Sequence, residues 1–86
     1  MNRLKITILS KENCTFCEHA KTIVNRLMTE YPLSVEIVDL NTPEGQSLAH
    51  HAGFLFPPGI FIDDKPFSYG RLSERKLRRE IEREID

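Results

Sequence analysis

Strand-type and helix-type segments alternate along this chain, and their order is the feature that most limits its fold. Alternating or clustered apolar residues, which are typical of strands, fill four segments: 4–9, 34–40, 60–62 and 65–69. Apolar spacing and capping residues predict three helices: 15–28, from 43 to near 53, and a last one after 73. The order β-α-β-α-β-β-α predicts an α/β fold, in which a parallel β-α-β unit precedes an antiparallel hairpin and a closing helix.

Prolines and hydroxyl residues mark the ends of these elements. Pro32 ends the first helix, because the residue before a proline is pushed out of the helical region. Thr42 is the predicted N-cap of the second helix, with Pro43 at its first position. Ser73 is the predicted N-cap of the last helix. Pro66, inside the fourth strand, predicts that this strand lies at an edge of the sheet.

The length and charge of the chain exclude several classes of protein. Its 86 residues form one expected domain, 1–86, with a single modest core. The 12 basic and 13 acidic side chains nearly cancel, and charges of both signs interleave on the last helix, so we expect a solvated face there and no nucleic-acid partner. No apolar run approaches the ~18 residues of a membrane span, and the first residues lack a signal-peptide core. We therefore expect a cytoplasmic monomer without a membrane partner.

The two cysteines of the chain lie in one motif, Cys14-Thr15-Phe16-Cys17. Structural disulfide frameworks use more cysteines at wider spacing, and a structural zinc site needs four ligands. The chain has three histidines, His19, His50 and His51. They do not form a second ligand pair that matches the cysteine pair. We interpret the pair as a redox site with no metal, while two other interpretations stay open. The cysteines could be packing residues, or half of a metal site that a partner completes.

The position of the motif assigns a different role to each cysteine. Cys14 lies at the start of a helix, where unpaired N–H groups and the helix dipole favour a thiolate, so we expect a lowered pKa. Cys17 is one turn further, on the apolar face, and should stay a thiol until it resolves a mixed disulfide. Lys11 adds a cation upstream. His19 would tune these thiols only if it pointed back at Cys14; a solvated position is the alternative.

Four segments of the chain resemble those of a glutaredoxin-like protein of the thioredoxin superfamily. The segment 10–17 resembles the glutaredoxin active site, with a lysine three positions before the first cysteine and an aromatic residue inside the motif. The segment 35–45 is similar to the second strand and the following helix entry. The segment 58–62 resembles the cis-proline that leads into the third strand, and 69–73 lies where glutaredoxins usually carry Gly-Gly.

The resemblance implies a thioredoxin-like fold, with a four-stranded mixed sheet flanked by three helices. It also implies that Cys14 is the nucleophile, Cys17 the resolving thiol and Pro58 the cis-proline facing them. Which of the two X-Pro bonds at 56–58 is cis stays open. By the same resemblance, Lys11 would pair with a carboxylate of glutathione. The expected substrate-binding residues are Lys11, Thr15, Phe16, Pro57, Pro58 and Gly70.

Three departures from the glutaredoxin pattern weaken the expectation of glutathione binding. Thr15 replaces a proline and leaves a backbone N–H that could further stabilise the Cys14 thiolate. Pro57 replaces a residue whose N–H normally binds glutathione, and an unpaired partner group costs about 1–3 kcal/mol. Tyr69 replaces the first glycine of the usual pair and crowds the ligand, although Gly70 still permits close approach.

These features predict a thiol–disulfide oxidoreductase that reduces protein or small-molecule disulfides. The reductant is either glutathione, as a co-substrate, or a thioredoxin-reductase-like protein, and no tightly bound cofactor is expected. Two alternatives stay open: an iron–sulfur or metal carrier, and a non-catalytic redox-sensing adaptor. The apolar segment Phe54-Leu55-Phe56 is either a docking surface for protein substrates or part of the core.

Overall fold

The strands and helices follow one another in the predicted order. The computed structural model describes residues 3–85, and no strand end differs from its predicted position by more than one residue. The elements are β1 (Leu4–Ser10), α1 (Thr15–Met28), β2 (Leu33–Asp39), α2 (Pro43–Ala52), β3 (Gly59–Ile62), β4 (Lys65–Tyr69) and α3 (Glu74–Ile85).

The four strands form one mixed sheet in the order β2-β1-β3-β4. β1 and β2 are parallel and joined by α1, whereas β3 is antiparallel to both β1 and β4. In the centre, Ile8 lies between Ile37 of β2 and Ile60 of β3. Because β4 is an edge strand, Pro66 removes no hydrogen bond from the middle of the sheet, as predicted. The predicted thioredoxin-like fold is therefore confirmed.

The helices cover both faces of the sheet. α1 and α3 pack on one face, and their fully buried side chains include Val24, Leu27, Leu77 and Ile81. On the other face, α2 packs over a smaller apolar cluster, whose buried members are Leu9, Val38 and Phe61. Alternate residues of β1 point to opposite faces, as Ile8 and Leu9 do, so one central strand contributes to both clusters.

Caps fix the start of α2 and α3 where the sequence predicts them. The hydroxyl of Thr42 accepts a hydrogen bond from the N–H of Gly45 at 3.0 Å, and that of Ser73 accepts one from the N–H of Lys76 at 3.2 Å. At the end of α2, Gly53 has a φ of 73°, the left-handed conformation that glycine adopts without strain. These caps define where the chain turns back towards the sheet.

Charged side chains of α3 bind the end of α1. Arg78 donates hydrogen bonds to Glu30 at 2.5 Å and to Glu74 at 3.2 Å, and Arg26 of α1 also pairs with Glu74. The hydrogen bond from Arg78 holds the pKa of the Glu30 carboxyl below its usual value. The expected solvated face with mixed ion pairs is present at these residues.

Candidate functional site

The segments that carry the predicted site residues lie at one end of the sheet. Leu9 of β1 lies opposite Gly59 of β3, and Gly59 lies opposite Tyr69 of β4. The chain therefore leaves β1 towards Cys14, enters β3 from Pro58 and leaves β4 after Tyr69 at the same end of the sheet. The strand order, rather than proximity in the sequence, brings these three segments together.

Cys14 is the N-cap of α1. Asn13 just before it has a φ of 55°, in the left-handed region that asparagine tolerates better than most residues. Cys14 itself is extended, with φ −119° and ψ 104°, and its Sγ accepts a hydrogen bond from the N–H of Cys17 at 3.1 Å. The sulfur thus takes the position that a hydroxyl or carboxylate oxygen takes in an ordinary helix cap.

Cys17 lies directly behind Cys14 and is fully buried. The Cα atoms of the two residues are 5.2 Å apart, and a disulfide bond joins their sulfurs. Cys17 belongs to the apolar stripe of α1, next to the fully buried Ala20, whereas Cys14 is only half-buried. The prediction that the two sulfurs can meet is confirmed, and only the Cys14 side of the pair faces outward.

The electrostatic field at Cys14 comes chiefly from the helix itself. The first N–H groups of α1 lack intrahelical partners, and the dipole of this 14-residue helix places partial positive charge at the same point. Glu18 in the first turn is neutralised by Lys21, 3.1 Å away. Lys11 is exposed and lines a shallow groove with Glu12 and Glu18. Within residues 3–85, Lys11 forms no ion pair or hydrogen bond with its side chain.

Pro58 marks the second wall of the site. The Pro57–Pro58 peptide bond is cis, which resolves the choice that the sequence left open. Pro58 is buried, and its carbonyl accepts a hydrogen bond from the N–H of Gly70 at 2.8 Å. Pro57 is half-buried and has no N–H to donate. A ligand backbone that pairs with this segment finds a carbonyl acceptor at Pro57 but no donor.

Two aromatic rings of the loop before Pro58 occupy the space above two glycines. A Cβ atom added to Gly59 would lie 2.5 Å from the Phe54 ring, and one added to Gly70 would lie 2.7 Å from the Phe56 ring. The Phe56 ring also meets the Tyr69 ring edge-on, with centroids 5.2 Å apart. A ligand that approached Gly70 from this side would have to displace Phe56. No local sequence pattern indicates this contact, because the two residues are 14 positions apart.

The sequence left open whether the segment 54–56 is a docking surface or part of the core. In the structure, one part of it packs into the core and another part is exposed. Phe54 packs into the smaller cluster, with its ring centroid 5.1 Å from that of Phe61. Leu55 and Phe56 remain 78% and 55% exposed. Phe16, inside the cysteine motif, is 47% exposed. Apolar surface therefore borders both Cys14 and Pro58.

The histidines do not join the cysteines. His19 is exposed and lines a separate cleft with Arg71 and Glu74. His50 and His51 end α2, where His51 contacts the carbonyl of Ser47 at 2.8 Å. Across residues 3–85, no group of three or more histidine, cysteine or acidic side chains is arranged to hold a metal ion. Over the same residues, no helix is both long and apolar enough to cross a membrane.

Several solved structures that resemble this chain are thioredoxins. A mutant thioredoxin from Halobacterium salinarum NRC-1 has a TM-score of 0.77 at 21% identity, over 99% of this chain and 77% of that one. Fasciola hepatica thioredoxin has a TM-score of 0.70 at 24% identity, over 94% and 80%. Thioredoxin-2 of the malaria parasite has a TM-score of 0.69 at 19% identity, over 95% and 84%. At these identities the likeness shows the fold alone. No curated protein matches the sequence.

The fold and the site together define a thioredoxin-fold protein with a cysteine pair at the start of its first helix. Over residues 5–82 the chain matches the family described as "Glutaredoxin-like domain (DUF836)", and it belongs to that family. The predicted resemblance to glutaredoxin-like proteins of the thioredoxin superfamily is therefore confirmed. Family, fold and a cysteine pair at bonding distance indicate redox-active thiol chemistry.

Proposed function

We propose that this protein is a dithiol oxidoreductase that reduces disulfides of other proteins. The observation that supports this most directly is the disulfide between Cys14, the N-cap of α1, and the buried Cys17. An outward sulfur at a helix N-terminus can react with a partner, and a buried sulfur one turn behind can complete the exchange.

The reaction proceeds in two exchanges that conserve atoms and electrons. In the reduced protein, the Cys14 thiolate attacks one sulfur of a substrate disulfide, forms a mixed disulfide and releases the other substrate sulfur as a thiolate that takes up a proton. Cys17 then loses its proton and attacks Cys14, which releases the second substrate thiol and forms the Cys14–Cys17 disulfide. Two electrons pass to the substrate, whose two thiols take one proton from Cys17 and one from solvent, and an external dithiol donor returns the electrons.

Each residue near the pair has a role in this scheme. The N–H of Cys17, which reaches the Cys14 sulfur at 3.1 Å, stabilises negative charge on that sulfur. Phe16 and Phe56 offer exposed aromatic surface to an apolar partner. The carbonyl of Pro57 is free to accept a hydrogen bond from a substrate backbone, and Pro58 closes the site behind it. Thr15, just after the nucleophile, adds a backbone N–H at the start of the helix.

Two features favour a protein disulfide over glutathione as the preferred partner. Pro57 lacks the donor that would bind the peptide part of glutathione, a loss of about 1–3 kcal/mol. Phe56 covers Gly70, where the ligand would otherwise approach the backbone. Lys11 stays available for a carboxylate but lies beside two acidic side chains. We infer that a thioredoxin-reductase-like protein supplies electrons more readily than glutathione.

The remaining expectations belong to the same proposal. No tightly bound cofactor takes part, because the sulfur atoms themselves carry the electrons. We propose the cytoplasm as the compartment, since reductases there return cysteine pairs to the dithiol form. An iron–sulfur or metal carrier would need further ligands from another chain, because residues 3–85 supply no third ligand beside the pair.

Matched serine variants of the two cysteines test the proposal. Reduction of insulin disulfides is measured with dithiothreitol as donor for Cys14→Ser, Cys17→Ser and the unmodified protein. Cys14→Ser should lose turnover to the uncatalysed rate. Reduced Cys17→Ser, freed of dithiothreitol and then mixed with insulin, should accumulate a mixed disulfide that is visible in a non-reducing gel. Equal and small effects of the two variants would contradict the assigned roles.

The electron donor is tested separately with the unmodified protein. The oxidised protein is offered either glutathione or a thioredoxin reductase with its nicotinamide cofactor, and the return of the dithiol is followed. We expect the reductase to restore the dithiol faster. A faster reaction with glutathione would contradict the preference, and a coloured protein that carries stoichiometric iron would favour the metal-carrier alternative.

A further inference from the structure

A basic cleft lies between the edge strand β4 and helix α3. Its volume is about 490 Å³, and its charged lining includes Arg71, Lys76 and Arg79. Phe67 and Tyr69 of β4 form its aromatic side. We use "basic cleft" for these five residues. Neither cysteine lines this cleft, and Tyr69 also contacts the loop before Pro58.

The cations of the basic cleft differ from Arg78 and Arg83, the two α3 arginines that form ion pairs. Arg78 binds Glu30 and Glu74. Within residues 3–85, by contrast, no carboxylate lies within 4 Å of the charged nitrogens of Arg71, Lys76 or Arg79. The interleaved charges of α3 therefore do not neutralise one another uniformly, and three positive side chains converge on one cavity.

The acidic side chain at the cleft offsets only part of this charge. Glu80 also lines the cavity, but it is paired with Arg83 at 2.9 Å. The four charged lining residues therefore sum to about +2, in a chain whose net charge is −1. A concave surface with an excess of one sign concentrates ligands of the opposite sign.

A hydroxyl beside the cavity is buried without a hydrogen-bond partner in the part of the chain that the structure describes. Ser68 lines the cleft, and its Oγ is buried without a hydrogen-bond partner among residues 3–85. Buried polar atoms in folded proteins nearly always have a partner, and a lost hydrogen bond is costly. Since this oxygen has almost no accessible surface, the charged side chains of the lining are the groups that meet a ligand in the cleft.

We propose that the basic cleft binds a phosphate monoester joined to a planar ring, which is the chemistry of a mononucleotide. A phosphate monoester carries close to two negative charges at neutral pH, which matches the charge of the lining. Guanidinium groups such as those of Arg71 and Arg79 bind phosphate oxygens in pairs. The cavity is far larger than a bare anion needs, and the Phe67 and Tyr69 rings can contact a flat apolar group.

Titration of the ¹⁵N-labelled protein with AMP tests this proposal without any redox readout. We expect saturable amide shifts confined to residues 65–80, with a dissociation constant below about 1 mM. Adenosine, which lacks the charge, and inorganic phosphate, which lacks the ring, should each bind at least about tenfold more weakly. No saturable shift with AMP, or equal binding of AMP and either fragment, would overturn the proposal.

Charge variants distinguish specific binding of AMP in the basic cleft from nonspecific attraction of AMP to the positive charges of α3. Arg71→Gln and Arg79→Gln should each weaken AMP binding at least about tenfold. Arg75→Gln, which changes the net charge equally at an exposed position outside the cleft, should leave it within about twofold. In the same spectra, amide peaks of residues outside 65–80 that keep their positions show that each variant is folded. An equal loss in Arg75→Gln would overturn the proposed cleft, whatever the outcome of the cysteine experiments.

Discussion

Gly53 and Gly70 have nearly the same backbone conformation but very different surroundings. Their φ values are 73° and 78°, so a side chain at either position is strained to a similar degree. Among residues 3–85, and apart from the chain neighbours of Gly53, no heavy atom lies within 4 Å of a Cβ added there, whereas one added to Gly70 would lie 2.7 Å from the Phe56 ring. Gly53→Ala is therefore a matched control for Gly70→Ala.

The expected losses of stability follow from these surroundings. The left-handed conformation costs an alanine about 1–2 kcal/mol, and Gly53→Ala should lose no more than that. Gly70→Ala must also push the Phe56 ring away. Phe56 is 55% exposed, so roughly 90 Å² of its side chain is buried, and full loss of this packing costs about 2 kcal/mol. Gly70→Ala should therefore cost up to about 4 kcal/mol.

A double-mutant cycle in urea measures this difference. In a Phe56→Ala background the ring is gone, and Gly70→Ala should then cost no more than Gly53→Ala. The predicted coupling between positions 56 and 70 is about 1–2 kcal/mol. Equal losses in the two glycine variants of the unmodified protein, or a coupling near zero, would refute the reasoning that Phe56 occupies the space above Gly70.

Three further changes have expected outcomes. In Gly45→Ala an added Cβ would lie 2.8 Å from the Cα of Leu40, so the free energy of unfolding should fall by about 1–3 kcal/mol in urea despite the better helix propensity of alanine; an unchanged midpoint would argue against the close approach. Pro57→Val restores a backbone donor and should raise glutathione-dependent turnover about tenfold, with insulin reduction as the control; no gain would count against the missing-donor explanation. Arg78 lowers the pKa of Glu30 below its ordinary value of 4.5. The ion pair therefore stabilises the fold at a pH above 4.5, and this stabilisation is lost as the pH falls through the lowered pKa. The difference in thermal midpoint between the unmodified protein and Arg78→Gln should therefore shrink on acidification, and a constant difference would disprove the link.

The order of elements was predictable because each one carries a local signal. Thr42 and Ser73 cap helices through bonds to residues three positions away, so the whole cap lies within one short stretch of sequence. Pro66 likewise excludes its own strand from the centre of the sheet. The cysteine pair was predictable for the same reason, since three helical positions bring Cys17 behind Cys14.

What the sequence could not reveal depends on contacts between distant positions. The division of 54–56 into a partly buried Phe54 and an exposed Phe56 depends on two glycines further along the chain. Interleaved charges on α3 predicted a solvated face with mixed ion pairs, but not which side chains pair. Glu30, 48 residues away, selects Arg78 as its partner, and the cleft beside β4 gathers other cations. No local pattern specifies which of several similar side chains meets a distant partner.

We expect the start of α1 to hold the Cys14 sulfur as a thiolate in the reduced protein, and the proposed reaction depends on this charge. The most direct test is a titration of the thiolate ultraviolet absorbance in Cys17→Ser, in which Cys14 is the remaining cysteine. The helix N-terminus and the N–H of residue 17 predict a pKa below about 7.5. A pKa at or above the ordinary cysteine value of about 8.5 would contradict the account.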